Sequence, residues 1–242
     1  MKNEREVEAM QTIKMEDVRA VKGRGFLHNK GTDGFSARVV TVNGTVTAAQ
    51  VRALGEISQT FGNGTVTLTT RQGFELQGIP FAKLDAFTAA VEAAGLCVGG
   101  TGPKVRPVVA CKGTTCPCGV IDTFSLAGKI HRKFYLGWHG VKLPGKFKIA
   151  VGGCPNNCVK PDLNDIGIVG CLLPGRKRGY RVLLGGHWGR TGGAGKEAAV
   201  FGSEEETLAY VEKVLTFYRD NGQPGERFFK TLARLGGPSV FG

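Results

Sequence analysis

The sequence predicts an α+β protein made of two successive blocks, and three observations predict it. Segments that alternate apolar and polar residues, as strands do, are interspersed with segments that have the spacing of amphipathic helices. Two sequences have the pattern of a helix capping box. The chain also has 38 glycines among its 242 residues, and much of this glycine lies in short clusters between the periodic segments. Such clusters are typical of tight turns and of backbone that approaches a bound group closely.

The first block, residues 25–103, follows a polar and charged lead at residues 1–24, for which we expect a helix. Residues 35–42 (FSARVVTV) alternate like a strand. Thr47 and Gln50 form a capping box, because each side chain can accept a hydrogen bond from an exposed backbone N–H. We expect the helix that follows to stop at Gly62. Its predicted inward-facing residues are Val51, Leu54, Ile57 and Phe61.

The rest of the first block contains two strands and a helix. Residues 65–70 (TVTLTT) are rich in β-branched side chains, and residues 74–78 predict a second short strand. An amphipathic helix closed by Gly95 follows. Its predicted core residues are Phe81, Leu84, Phe87 and Val91. The resulting order β-α-β-β-α predicts a ferredoxin-like half-domain.

The second block, residues 104–242, reads as a mixed α/β unit. A strand at residues 105–110 leads into Cys111, and a strand at residues 146–151 (KFKIAV) leads to Cys154. Between them, Leu126, Ile130 and Phe134 have helical spacing. The remaining predicted elements are strands at 166–169 and 181–184, a helix opened by the capping box of Ser203 and Glu206, and a last helix at 226–235.

Composition and charge narrow the class of protein. A hydrophobic content of 41% supports a packed core, and the net charge of +12 fits a basic surface, a polyanionic cofactor or an anionic substrate. The sequence shows no nucleic-acid-binding motif, so we expect no nucleic-acid partner. The charged residues 1–24 do not resemble a signal peptide, and no apolar run has the length of a membrane span. We therefore expect a cytoplasmic protein, in which seven cysteines favour metal or redox chemistry over disulfides.

Two cysteine groups carry the strongest chemical signal. The sequences CKGTTCPC (residues 111–118) and CPNNC (residues 154–158) each place cysteines in a turn rich in glycine, proline or asparagine. Four thiolates from two turns suit an iron–sulfur cubane or a tetrahedral zinc, and buried inert thiols are a third interpretation. Zinc knuckles usually have the spacing C-x2-C, which neither pair shows. For Cys97, at the end of a helix, and Cys171, at the end of a strand, we expect only a small apolar role.

These cysteine groups resemble those of the siroheme-dependent sulfite and nitrite reductases, and the resemblance covers nearly the whole chain. It implies a ferredoxin-like half-domain followed by a siroheme- and [4Fe–4S]-binding domain. The other matching motifs are TRQGF with LQG (residues 70–78), LPGKFK (143–148), GYRVLLGG with a further glycine (179–189) and ERFF (226–229). The resemblance implies that the cluster ligands are Cys111, Cys116, Cys154 and Cys158, and that the last of these also binds the siroheme iron. The first pair is one residue shorter than in the family, so Cys118 stays an alternative to Cys116.

The resemblance also implies a cationic pocket for a small oxyanion. Its members would be Arg71, Arg106, Lys146 and Lys148. Arginine offers a fixed fork of donors, while lysine can hand over protons as S–O bonds break. Lys146 and Lys148 are two positions apart on a predicted strand, which points both to one side and leaves Phe147 for the core. Taken alone, each of the four would be an ordinary surface cation. Arg106 is followed by Pro107, where the family prefers asparagine.

Siroheme bears many carboxylates, which gives a reason for the positive charge of the chain. Basic side chains and N–H groups beside glycines would neutralise them. The expected contacts are Asn156, Asn157, Lys160, Gly185, Gly186 and Arg190, with Arg176 and Arg178 as further candidates. For His187, beside Trp188 in the last glycine turn, we expect a structural or surface role.

Together these features predict an enzyme that reduces sulfite to sulfide in a six-electron reaction, with reduction of nitrite to ammonia as the alternative. An iron–sulfur electron-transfer subunit without siroheme and a zinc-stabilised nucleic-acid binder are the competing classes. The sequence shows no flavin or nicotinamide fingerprint, so we expect a separate ferredoxin-like electron donor or partner subunit. Larger family members carry two ferredoxin-like halves. Because this chain has one, we expect a homodimer or hetero-oligomer.

Overall fold

The computed structural model describes residues 13–241, so residues 1–12 of the predicted lead lie outside the described residues. The described part of the lead forms helix α1 (Met15–Lys22), which ends at Gly23. Its side chain Val21 is buried and joins the core of the first block.

The first block is a five-stranded antiparallel sheet with two helices packed against it. Its strands are β1 (Phe26–His28), β2 (Gly34–Val40), β3 (Val66–Leu68), β4 (Phe74–Pro80) and β5 (Cys97–Val98). They lie in the order β1-β2-β4-β3, and β5 also pairs with β2. The helices are α2 (Ala48–Phe61) and α3 (Leu84–Ala93). The largest side chains that the two layers bury are Phe26, Phe35, Leu54, Leu76, Ile79 and Phe87.

Of the predictions for this block, the structure confirms the capping box and corrects those for Val51 and Cys97. The Thr47 hydroxyl accepts the N–H of Gln50 (3.2 Å) and the Gln50 side chain accepts the N–H of Thr47 (2.9 Å), which completes the predicted capping box. The prediction that Val51 faces inward is wrong, because its exposure is 52%. Cys97 begins β5 instead of ending a helix, since α3 stops at Ala93 and the left-handed Gly95 (φ 71°) turns the chain back toward β2.

The second block is a mixed five-stranded sheet. Its strands are β6 (Val109–Ala110), β7 (Ile149–Gly152), β8 (Ile166–Leu173), β9 (Lys177–Leu184) and β10 (Lys196–Phe201). They lie in the order β10-β9-β8-β7-β6; β6, β7 and β8 are parallel, and the other neighbours are antiparallel. The helices are α4 (Thr123–Ile130), which continues as a π-helical turn (His131–Leu136), α5 (Glu204–Asn221) and α6 (Phe228–Arg234).

Two predicted strands of the second block are shorter than expected. The strand predicted at 105–110 pairs continuously only at Val109–Ala110, because Pro107 has no N–H to offer to a ladder. The strand predicted from residue 146 begins at Ile149. Before it, Phe147 makes a single bridge to Val105 and is fully buried, as its position between the two lysines predicted. Strand β10 was not predicted.

The sheet arrangement places the two cysteine groups side by side. Strands β6 and β7 are parallel, so their carboxyl ends meet at one edge of the sheet. Cys111 follows β6 directly, and Cys154 follows β7 after one glycine. The strands of the first sheet fall within residues 26–98 and those of the second within 109–201. The exact domain boundary stays a prediction. Within residues 13–241, no helix combines the length and the hydrophobicity that a membrane crossing requires.

Candidate functional site

The two cysteine loops touch at a pair of glycines. The N–H of Cys111 donates to Val151 O (3.1 Å), and the N–H of Gly153 donates to Cys111 Sγ (3.1 Å). A Cβ added to Gly113 would lie 2.9 Å from the Cα of Gly153, and the reverse substitution would give 2.8 Å. Only glycine therefore allows the loops to approach this closely, and one backbone N–H already points at a thiol sulfur.

The donor set of these loops fits an iron–sulfur cluster. All seven cysteines are free thiols; Cys111, Cys116 and Cys154 are half-buried, and Cys158 is exposed. A four-iron cluster takes one thiolate at each iron, so the four thiols of the two loops supply the number of donors that it requires.

The exposure of the two competing cysteines gives a prediction. Cys116 is half-buried and its N–H donates to Gly113 O (3.3 Å), whereas Cys118 is exposed. We expect Cys116→Ser to lose the cluster and Cys118→Ser to keep it, because Cys116 is the less exposed of the two and matches the family motif. Iron content and the broad cluster absorption after anaerobic reconstitution measure the difference. If Cys118→Ser lost its iron and Cys116→Ser kept it, Cys118 would be the cluster ligand.

Beside the cysteine loops lie two adjoining cavities, of about 390 Å³ and about 350 Å³, whose walls share Thr70, Arg71 and Lys148. Cys158 and Lys160 line the first cavity, together with the half-exposed Trp188. The cationic residues that complete the wall of the second cavity are Lys22, Arg38, Arg106 and Lys146. The four predicted cations thus line two adjoining cavities, and Cys158 lines the one that contains Arg71 and Lys148.

Arg71 is held almost completely by the protein. Its Nε and Nη2 donate to Pro107 O (2.9 and 2.6 Å), Nη2 also donates to Ile149 O (2.9 Å), and Nη1 donates to Asn164 Oδ1 (2.9 Å). These bonds occupy four of the five guanidinium N–H groups. Burial lowers the pKa of Arg71 to about 10, which leaves it charged at neutral pH. Arg71 is therefore a fixed positive charge that also joins the first block to the second.

The other three predicted cations differ in how they are held. Arg106 Nη1 donates to Gly100 O, while its buried Nε finds no acceptor among residues 13–241. Burial, followed by the charge of Arg38, lowers the pKa of Arg106 to about 10. Lys146 is exposed, and burial of its amine and the charge of Arg227 lower its pKa. Burial, followed by the charges of Arg71 and Lys146, lowers the pKa of Lys148 to about 8.

Sequence reasoning missed Asn164 and Asp165, which hold two of these cations, and Arg227, which pairs with Asp165. Asn164 accepts from Arg71, and the fully buried Asp165 accepts the N–H of Lys148 (2.8 Å) at Oδ2. Arg227 lies 3.3 Å from Asp165 Oδ1. Asn164 and Asp165 directly precede β8 and belong to none of the matching motifs. Arg227 lies in the ERFF motif, which is the one feature from which its role could have been predicted. A single sequence gives no signal that pairs residues 165 and 227.

The predicted siroheme contacts are only partly brought together. Lys160 lines the first cavity in a left-handed conformation (φ 50°). Within the described residues, neither cavity is lined by Asn156, Asn157, Gly185, Gly186 or Arg190. Gly186 is instead packed tightly, since a Cβ there would lie 2.0 Å from Asp162 O. Arg176, Arg178 and Arg190 are exposed. His187 stacks on Phe229 at 3.7 Å, which is a structural contact.

Gln72 closes the joint between the two blocks. Its φ is 59°, and its side-chain amide pairs with the backbone of Ala110, donating to the carbonyl (2.7 Å) and accepting the N–H (2.9 Å). The amide thereby extends the edge of β6 as a neighbouring strand would. Arg71 and Gln72 therefore both bind the first block to the second, and both line the first cavity.

The fold and site define an α+β protein with a cysteine-bearing sheet edge beside a cation-lined cavity. Residues 101–241 match the family model of the nitrite and sulphite reductase 4Fe-4S domain, and residues 28–94 match that of the nitrite/sulfite reductase ferredoxin-like half domain. The chain belongs to the nitrite and sulphite reductase family, as the motifs predicted. The α+β architecture with a ferredoxin-like half-domain is also confirmed.

Curated relatives agree with this assignment. A coenzyme F420-dependent sulfite reductase of Methanocaldococcus jannaschii is 36% identical over 52% of this chain and 20% of its own length. A ferredoxin–nitrite reductase of Leptolyngbya laminosa is 31% identical over 78% of this chain and 38% of its own. An uncharacterized protein of M. jannaschii is 38% identical over 56% of this chain and 48% of its own. The chain thus spans about half or less of these relatives.

Solved structures support the fold. The NirA protein of Mycobacterium tuberculosis superposes with a TM-score of 0.81 at 21% identity, over 99% of this chain and 48% of NirA. Dissimilatory sulfite reductase I gives a TM-score of 0.73 at 16% identity, over 84% of this chain and 67% of its own. At these identities the likeness concerns the arrangement of the elements alone.

Proposed function

We propose that this chain reduces sulfite to sulfide with a siroheme and a [4Fe–4S] cluster. The observation that carries the proposal is the position of Cys158. It belongs to the second cysteine loop, and its side chain lines the cavity that also contains Arg71 and Lys148. Cys158 would hold the cluster together with the other three cysteines, and it would also hold the haem. The proposed cluster ligands are Cys111, Cys116, Cys154 and Cys158.

The cavity wall suggests how the haem would be held. Lys160 supplies a positive charge for the carboxylates of siroheme, and the half-exposed indole of Trp188 supplies an apolar surface for a macrocycle. When bound, siroheme and the cluster would supply the electron-transfer chemistry, passing on electrons that a separate donor provides. Asn156, Asn157, Gly185, Gly186 and Arg190 lie outside the cavity wall, so we propose Lys160 and Trp188 as the contacts to test first.

The cations would bind the oxyanion and supply protons. Arg71 and Arg106 are charged at neutral pH and are fixed by backbone acceptors, so they would attract the anion without moving. Arg71 would act mainly through its charge, because protein acceptors already occupy four of its five N–H groups. Lys148 is half-buried, and its pKa of about 8 lies close to neutrality. An amine with such a pKa is mostly protonated at pH 7 and gives up its proton readily. Lys148 Nζ is therefore the proposed proton donor to a sulfite oxygen as the S–O bond breaks.

Electrons would come from a separate donor, and the name of the Leptolyngbya laminosa relative supports a ferredoxin-like protein in this role. A homodimer or hetero-oligomer in the cytoplasm is the proposed setting. In this setting another subunit would provide a second ferredoxin-like half.

Nitrite is the second candidate substrate, because relatives named for sulfite and for nitrite both match the chain. We expect the anaerobically reconstituted protein to turn over sulfite faster than nitrite with a chemical reductant, as measured by sulfide and ammonia production. A clearly faster turnover of nitrite would make nitrite, and not sulfite, the proposed substrate. The absorption spectrum of the same sample separates the enzyme from an electron-transfer subunit. Cluster absorption without a Soret-like band would remove siroheme from the proposal.

A further inference from the structure

Asp165 is a fully buried carboxylate directly behind Lys148. Its Oδ2 accepts the N–H of Lys148 (2.8 Å), and the C=O of Lys148 accepts the N–H of Ile166 (3.1 Å). Both backbone groups of Lys148 are thus held by consecutive residues at the start of β8. The backbone carbonyl of Asp165 in turn accepts the N–H of Gly185 (3.0 Å), which fixes the backbone of Asp165 at the end of β9. The position of Lys148 therefore depends on Asp165.

Arg227 completes a buried ion pair with this carboxylate. Its Nη2 lies 3.3 and 3.4 Å from the two oxygens of Asp165, and its side chain is 18% exposed. The residue before it, Glu226, is fixed by hydrogen bonds from Thr231 Oγ1 (2.8 Å) and Arg234 Nη2 (2.9 Å). The start of α6 is thereby held in place, and Arg227 is presented to Asp165 from that direction.

We propose that Asp165 and Arg227 form a positioning pair for Lys148. Asp165 fixes the backbone of the lysine and supplies a nearby negative charge, and Arg227 partly neutralises that charge. Neither residue lines the two cavities, so both act through the lysine and not on a substrate. The inference rests on the proposed function, in which Lys148 delivers a proton to the oxyanion.

The charges of Asp165 and Arg227 act in opposite directions on the pKa of Lys148, which can be measured. After burial, the charges of Arg71, Lys146 and Arg227 lower the pKa of Lys148, whereas the charge of Asp165 raises it. The other titratable or charged residues of the shared cavity walls are Lys22, Arg38, Arg106, Cys158 and Lys160. Removing the charge of Asp165 should lower the pKa of Lys148, and removing that of Arg227 should raise it. Removing both should leave it near its original value.

The test is Asp165→Asn in the cofactor-loaded protein, because asparagine keeps the shape and an acceptor oxygen. Trace acetylation of lysine amines at a series of pH values, read by mass spectrometry, gives the pKa of Lys148 without turnover, with the exposed Lys142 as internal reference. We expect this pKa to fall by roughly one unit. The fall of sulfite turnover at high pH should move to lower pH with it. In the double variant Asp165→Asn/Arg227→Gln, the pKa of Lys148 and the pH at which turnover falls should both return towards the values of the unsubstituted protein.

Three results would decide against the pair. The pKa of Lys148 could be unchanged in Asp165→Asn, or the double variant could lie further from the original value than either single variant. If Asp165→Asn does not fold, Arg227→Gln alone decides: a higher pKa of Lys148 supports the pair, and an unchanged or lower one overturns it. Absence of sulfite turnover in the unsubstituted protein would refute the proposed function alone, because acetylation still reports on Lys148.

Discussion

Replacing Cys158 by serine is expected to abolish sulfite reduction. Cys158 belongs to the second cysteine loop and lines the cavity that contains Arg71 and Lys148. In the proposed function Cys158 would hold both the cluster and the haem, which would supply the electron-transfer chemistry. A serine oxygen is a poor substitute for a thiolate as a ligand of both groups. We expect turnover to fall by about a hundredfold or more.

The measurement combines turnover with electron paramagnetic resonance of the cofactor-loaded protein, which reports magnetic coupling between cluster and haem. Cys97→Ser is the matched control, because Cys97 is a free thiol on β5, outside both cysteine loops. The control should keep turnover and coupling. Full activity of Cys158→Ser would refute the shared ligand, and loss of coupling with turnover retained would show that electrons reach the haem by another route.

The parts of this molecule that could be predicted from the sequence are those whose causes are local. The capping box of Thr47 and Gln50 depends on residues three apart, and both of its hydrogen bonds are present. The alternation at residues 146–148 predicted that Phe147 is buried, and it is fully buried between two lysines that line one cavity. A periodic pattern reports the face on which a side chain lies, and that is sufficient in these cases.

The parts that could not be predicted depend on distant residues. The acceptors of Arg71 lie 36, 78 and 93 positions further along the chain, and Arg227 lies 62 positions from Asp165. No local pattern pairs such residues. The family resemblance assigned Arg71 to the oxyanion pocket, whereas its contacts also make it a connection between the two sheets. The same limit explains the missed strand β5, whose two residues are ordered by pairing with β2.

The contacts of Arg71 change the expected result of its substitution. From the resemblance alone, Arg71→Ala would lower turnover and leave cofactor content intact. In the structure, Arg71→Ala also removes four hydrogen bonds to acceptors of the second block. The carbonyls of Pro107 and Ile149 thereby lose the donors that Arg71 provides. Unpaired buried acceptors are costly, so we expect the free energy of unfolding to fall by about 3 kcal/mol. For a chain of this length, the melting temperature should fall by roughly 10 °C.

Lys146→Ala is the control for the loss of a cation from the same cavity. Lys146 is exposed and lines the second cavity with Arg71. Its loss should depress turnover with little change in melting temperature, because no buried acceptor loses a donor. Calorimetry of both variants, loaded with cofactors, separates the two roles of Arg71. Equal melting temperatures would show that the hydrogen bonds of Arg71 contribute little to the joint between the sheets. Its charge in the cavity would then be its main contribution.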